Sequence, residues 1–113
     1  MMSKKPPLQR MSRLNPPRAL SYTEAANKDI DKIGRDQYEN LIEPGVREVA
    51  ALVDVTHSPC VVRVTTCGGW FRFKRFKVRV AFYVNGHEEL VVTAVLRRDD
   101  DTYRIIHQRW NRR

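Results

Sequence analysis

Between Gly69 and Arg98 the chain alternates apolar and polar residues in two long runs, separated at Asn85-Gly86. That dipeptide tolerates positive φ and is a strong short-range hairpin signal. In the first run the apolar positions are Phe71 and Phe73, then Phe76, Val78, Val80, Phe82 and Val84. The two groups differ in parity, so an uninterrupted strand would place them on opposite faces. A β-bulge at Lys74-Arg75 would return them to one face and bend the strand. Arg72, Lys74 or Arg75, Lys77 and Arg79 then form a cationic stripe on the other face. The second run carries Leu90, Val92, Ala94 and Leu96, all even-numbered. A two-residue loop pairs even with odd. A three-residue loop with Gly86 left-handed pairs even with even and gives one coherent apolar face, and this form is predicted. Val91 and Val95 then fall on the cationic face with Ala81 and Tyr83. That face is too apolar to be plainly solvated, so something covers part of it, either another element or the stems of its own lysines and arginines.

Upstream, Ser21-Tyr22-Thr23-Glu24 fits a capping box with Ser21 as N-cap. Ala26, Ile30, Ile33, Gln37 or Tyr38, Leu41 and Ile42 follow at helical spacing. Gly34 weakens this helix without ending it, and Glu43-Pro44-Gly45 stops it. Pro44 suits the first turn of a second, shorter helix bearing Val46, Val49, Ala50, Leu52 and Val53. Cys60 to Thr66 reads as a short strand ended by Gly68-Gly69. Asp99–Asp101 reads as a polar turn, and Thr102–Trp110 as a last strand. The predicted fold is α+β, with two N-terminal helices packed on a curved four-stranded antiparallel β-meander. Residues 1–20 form a basic, proline-containing extended tail, and residues 21–113 a single domain.

Composition adds the question of partners. The 113 residues hold 21 Lys plus Arg against 13 Asp plus Glu, a formal charge of +8. Such a balance suits an anionic partner: RNA, anionic lipid head groups or an acidic protein face. Lys4, Lys5, Arg10, Arg13 and Arg18 precede the first acid, Glu24. The tail cannot fold by itself and is expected to order on a partner. Its acid-free start is compatible with mitochondrial import without cleavage, since Pro6-Pro7 and Pro16-Pro17 break a presequence helix; the other location expected is cytoplasmic. Cys60 and Cys67 are too few for a disulfide scaffold. No run of 18 apolar residues is present to span a membrane.

Candidate chemistry is thin. His57, His87 and His107 lack the paired spacing of metal ligands. Asp99–Asp101 suits a β-turn better than a cation site. Gly68-Gly69 precedes a strand, not the helix N-terminus that cradles phosphate. Trp70 to Phe76 interleaves rings with bases, which suits single-stranded RNA if the rings are exposed and backbone binding if only the charges are. Trp110 beside Arg109, Arg112 and Arg113 resembles an interface anchor. No residue asks for a metal or a cofactor.

Two resemblances bear on function. Val91–Leu96, Arg97-Arg98, Asp99–Asp101, Tyr103, Ile105-Ile106 and His107 resemble, in that order, the last two strands of NTF2-like (SnoaL-like) domains. That resemblance implies a cone-shaped pocket and roles as enzyme or assembly scaffold. The segments ALSYTEAANKDIDKI and FKVRVAFYVNGHEELVVTAVLRR resemble the opening strand and helix and the central hairpin of the RelE/ParE toxins, which include ribosome-dependent ribonucleases. This second resemblance implies phosphate contacts from Lys77, Arg79 and Arg97, with Tyr103 or His107 in acid–base roles. From the residues, the expectation is a non-catalytic accessory subunit of a large assembly, a mitochondrial respiratory complex or a ribosome. It would dock on other protein subunits through its tail, through Arg72, Lys74, Arg75, Lys77 and Arg79, and through its Arg109–Arg113 end. The alternative is an RNA-binding protein or a RelE/ParE-like ribonuclease toxin.

Overall fold

The computed structural model describes residues 12–113. The predicted tail positions Lys4, Lys5 and Arg10 lie outside that range. The elements are β1 (Leu20–Tyr22), α1 (Glu24–Ile33), α2 (Arg35–Gln37), a π-helical turn (Tyr38–Ile42) and α3 (Glu43–Ala50). β2 (Val61–Arg63), β3 (Phe71–Arg75), β4 (Val78–Val84), β5 (Leu90–Arg97) and α4 (Thr102–Asn111) follow. The sheet has five strands in the order β1-β5-β4-β3-β2. β1 runs parallel to β5 and every other pair is antiparallel. This mixed sheet replaces the expected four-stranded antiparallel meander, and a C-terminal helix joins the two helical segments upstream. Alternation did not show β1, whose three residues are too few to display it, although the RelE/ParE resemblance implied an opening strand there.

The helical breaks are exchanged relative to expectation. Thr23, not Ser21, caps α1: its hydroxyl accepts from the Ala26 amide at 3.1 Å, while Ser21 pairs with Val91 in the sheet. Gly34 does end α1, at φ 111°, a conformation available to glycine and closed to most side chains. Pro44 lies in the first turn of α3, as expected, but the coil runs into α3 without a gap. A proline inside a helix clashes with the carbonyl four residues back, and the π-helical turn directly before α3 widens the coil there. At Gly45, α3 comes so close to the sheet that a Cβ would stand 2.6 Å from the Phe73 ring.

The expected bulge at Lys74-Arg75 is absent. β3 ends at Arg75, and the chain reverses through Phe76 and Lys77, with Phe76 at φ 53°. The parity change therefore marks a turn between two strands. At the second turn Val84 pairs with Leu90, even with even as predicted, and Asn85 N–H donates to the Glu89 carbonyl. The left-handed residue is Glu88 and not Gly86. A bulge does occur, in β5 at Thr93, where the ladder shifts between Ala81 and Phe82. Leu90, Val92 and Val95 consequently face α1 and α3, while Val91, Ala94 and Leu96 face the other side. β1 reaches only as far as Val92, so the outer edge of β5 is open beyond it. Asp29 of α1 accepts there from the Val95 amide at 3.0 Å. Arg109 of α4 donates to the Thr93 carbonyl at 2.9 Å and to Asp29 Oδ1 at 3.0 Å.

The predicted last strand is helical. Thr102 and Ile106 are buried and Trp110 is half-buried, a four-residue recurrence that marks a helix and not a strand. The acidic triplet is its entry turn: Asp99 Oδ1 accepts from the Asp101 amide at 2.8 Å, and Thr102 Oγ1 donates to the Arg97 carbonyl at 2.9 Å. Carboxylates at this end are favoured by the helix dipole.

Candidate functional site

Side chains alternate across β3, β4 and β5, and the two faces receive different residues. Toward α1 and α3 lie Phe71, Phe73, Val78, Val80, Phe82, Leu90, Val92 and Val95. Toward α4 lie Arg72 and Lys74 of β3, Arg79, Ala81 and Tyr83 of β4, and Ala94 and Leu96 of β5. α4 covers one half of this second face. Ile106 is fully buried with Val64, Cys67, Trp70, Ala81 and Ala94, and Trp110 packs against them. The covering anticipated for this face is therefore a helix.

The other half holds the cations. Arg72 pairs with Ala81, and Lys74 pairs with Arg79, which in turn pairs with Leu96. Arg98 follows directly on β5, with its amide bonded to the Lys77 carbonyl at 2.7 Å. Arg79 is only 8% exposed, and its Nη1 donates to the carbonyls of Phe76 and Val78 at 3.2 and 3.0 Å. Burial lowers the Arg79 pKa, and the nearby Arg72 and Arg98 guanidiniums lower it further. Arg72 is pulled down the same way, first by burial and then by Arg98. The Arg72 guanidinium lies 4.9 Å from the Tyr103 ring centroid, a cation–π distance, and its Nε is buried without a hydrogen-bond partner among the described residues.

No carboxylate answers this cluster. None of the ion pairs among the described residues includes Arg72, Lys74, Arg79 or Arg98. Residues 1–11 contain no Asp or Glu that could supply one. Holding guanidiniums together without counter-charge is costly, and the cost falls when an anion arrives. A guanidinium offers paired N–H donors that match a phosphate or a carboxylate. Tyr103, 56% exposed, stands at the margin of the cluster. On its other side is a hollow of about 360 Å³ lined by Val64, Thr66, Cys67, Tyr103, Arg104, His107 and Gln108. His107 sits one helical turn beyond Tyr103, with its ring 6.0 Å from that of Trp110.

The structure assembles only part of the residue set read from the sequence. Arg72, Lys74 and Arg79 share a face, as the stripe required. Arg75 points to the helix side, where its guanidinium lies 5.5 Å from the Phe76 ring. Lys77 lies in the turn. Arg97 pairs with Val78 on the helix side, so Lys77, Arg79 and Arg97 do not form one phosphate site. Arg109 is engaged by Asp29, and Trp110 Nε1 donates to the Gly68 carbonyl at 3.2 Å, so both serve the fold. Arg113 stacks on Trp110 at 3.9 Å, and Arg112 is exposed. Arg18 donates to the Leu52 and Val53 carbonyls and pairs with Glu88, while Arg13 bridges to Leu52. Arg98 was missed. Its signal was position, since a basic residue just past an apolar strand points back over that strand's end. Among the described residues no three His, Cys, Asp or Glu side chains group to hold a metal ion, and no helix is long and apolar enough to cross a membrane.

No family model matches the chain, and no curated protein matches it. Among solved structures, it is similar to a chain of the RelB-RelE antitoxin-toxin complex from Methanococcus jannaschii. The TM-score is 0.53 at 15% identity, covering 75% of this chain and 96% of that one. A chain of the RelBE2 toxin-antitoxin complex from Mycobacterium tuberculosis aligns with a TM-score of 0.47 at 23% identity, covering 74% and 94%. The first likeness shows a shared fold, that of a toxin–antitoxin component. It corrects the expectation of an NTF2-like domain, and nothing in the comparisons supports the mitochondrial accessory subunit of a large complex that the basic tail and sheet face suggested.

Proposed function

We propose that this protein is a RelE-like toxin that acts on RNA through the Arg72–Arg79–Arg98 cluster and Tyr103. The observation that carries the reading is that cluster: guanidiniums gathered on an open sheet face, one of them almost buried, with no carboxylate among the described residues to neutralise them. The fold shared with a component of a RelB-RelE complex supports the same reading. Phosphodiesters of a single strand lie across the face. The guanidiniums hold the non-bridging oxygens and stabilise the extra negative charge that develops on them. The ribose 2′-oxygen forms a bond to phosphorus as the bond to the 5′-oxygen breaks. His107, across the hollow, takes the 2′-hydroxyl proton, and Tyr103 gives a proton to the departing 5′-oxygen.

The test pairs growth with chemistry. Induced expression in a bacterial host is expected to arrest growth, and Arg98→Ala and Tyr103→Phe are each expected to relieve the arrest. The purified protein should bind an RNA oligomer with affinity that falls steeply with salt, and Arg98→Ala should flatten that slope by about one unit. With translating ribosomes or free RNA as substrate, cleavage should leave 2′,3′-cyclic phosphate ends. A harmless wild type whose RNA binding ignores salt overturns the proposal.

A further inference from the structure

On the helix side of the sheet, α3, the loop before β2 and strand β3 enclose a hollow of about 200 Å³. Part of its lining is apolar: the Phe73 ring, 3% exposed, with Val49, Leu52 and Pro59. Hydrogen-bond donors reach it from three separate segments. Arg75 of β3 brings its Nη1 to 3.3 Å from where a Cβ on Gly45 would stand, so only glycine leaves that space open. Its Nε is buried with no hydrogen-bond partner among the described residues. Arg13 is held at the hollow by backbone bonds on either side: Leu14 N–H donates to the Ala51 carbonyl at 2.7 Å, and Val53 N–H to the Ser12 carbonyl at 3.1 Å. Ser58 Oγ accepts from the Cys60 amide at 3.2 Å, which leaves its proton to donate. Neither arginine belongs to an ion pair among the described residues. Glu48 brings a carboxylate to the lining, but it is exposed and pairs with neither of them. A buried guanidinium nitrogen without an acceptor costs free energy, and an oxyanion that reaches it removes that cost.

We infer that this hollow is a binding site for a nucleoside monophosphate. Its phosphate accepts from the guanidiniums of Arg75 and Arg13 and from the Ser58 hydroxyl, and its base lies against Phe73 and Leu52. The lining selects that class. Two guanidiniums and a hydroxyl match a tetrahedral oxyanion, whose several oxygens can accept from all three. An inorganic anion alone would leave the apolar wall uncovered, and an apolar ligand would leave the arginines unanswered. The volume takes in one small molecule and not a strand. The inference uses none of the residues assigned to RNA, so it stands or falls separately from the ribonuclease reading.

The probe is adenosine monophosphate, with inorganic phosphate and adenosine as its two halves. Calorimetry on the full chain should show the nucleotide binding more tightly than either half. Amide shifts should map to Val49–Leu52, Ser58–Cys60 and Phe73–Arg75. Arg75→Met should abolish binding, and Arg13→Ala, at an exposed position, should weaken it about tenfold, as for one lost charge-assisted hydrogen bond. Glu48→Gln removes a like charge from the lining and should tighten binding about threefold, a gain that misfolding cannot mimic. Arg98→Ala should bind the nucleotide as the wild type does. Binding lost in Arg98→Ala and kept in Arg75→Met would put the phosphate in the RNA cluster and overturn the inference. No binding at all overturns it too, as does an affinity that neither Arg13→Ala nor Glu48→Gln moves. Equal affinity for inorganic phosphate and the nucleotide would remove the base from the site and refute the assignment.

Discussion

Strands β3, β4 and β5 lend alternate residues to two faces, and the two are finished differently. On the helix side, Phe73, Val80, Phe82 and Val92 are all at most 3% exposed beneath α1 and α3. On the α4 side, burial stops half-way, and where Ile106 no longer reaches the strands carry Arg72, Lys74 and Arg79. One face gains free energy by excluding water from hydrocarbon. The other forgoes part of that gain to keep cations gathered. Stability and anion binding are thus allotted to opposite sides of one sheet, and substitutions on the two sides should move them in opposite directions.

The largest effect is expected on the helix side. Phe82→Ala removes a ring that stacks on Phe71 at 5.4 Å and should cost about 4 kcal/mol, as large-to-small core changes do. Urea unfolding should show the loss as a lower midpoint at an unchanged slope. Next comes the clamp that joins the two sides. Asp29→Ala leaves the Arg109 guanidinium and the Val95 amide without their acceptor, for a cost of about 3 kcal/mol. Because Asp29 draws on both α1 and α4, hydrogen exchange should rise at Val95 and along α4 together. Exchange confined to α1 would show that the faces are not joined there.

On the cationic side the sign reverses. Arg79→Met replaces a buried charge with an apolar chain of similar length, and should stabilise the protein by about 1 kcal/mol. The same change should weaken RNA binding across all sequences, since a backbone contact carries no sequence information. A destabilised Arg79→Met would mean that the two carbonyl bonds of Arg79 outweigh its uncompensated charge, and the comparison between the faces would fail at that residue.

Alternation read from the sequence found both faces. It put Phe73, Val80 and Phe82 on one side and Arg72, Lys74 or Arg75, and Arg79 on the other, because a break was placed near Lys74-Arg75; the turn through Phe76 and Lys77 restores the parity that the expected bulge would have restored. Features set by distant partners were not legible. The Thr93 bulge depends on Asp29 and Arg109, which lie 64 and 16 residues from it in sequence and meet it only in the fold. The parity change at Phe76 signals either a bulge or a turn, and local pattern does not decide between them. α4 was mistaken for a strand because Ile105 and Ile106 together fit either period, although Asp99–Asp101 ahead of it was a helix-start signal. The site was half visible for the same reason: its β3 and β4 residues obey alternation, while Arg98 and Tyr103 arrive from beyond the last strand.

Titration gives the smallest expected effect and sets a proton-holding group on the helix side against charges on the other. Tyr38, buried, shares a hydrogen bond of 2.9 Å with Tyr22. Burial, and then that bond, raise the Tyr38 pKa far above its ordinary value of 10.0; burial also raises that of Tyr22. The native state therefore keeps a proton that the unfolded chain releases above pH 10. This contribution is fully present below pH 10 and is lost as pH rises beyond it, by about 1.4 kcal/mol per unit for one such proton. Tyr38→Phe should flatten that slope by one proton, at a cost near neutrality of about 1 kcal/mol for the lost hydrogen bond. The substitution lies on the helix side, so RNA affinity near neutrality should be the same for Tyr38→Phe and the wild type.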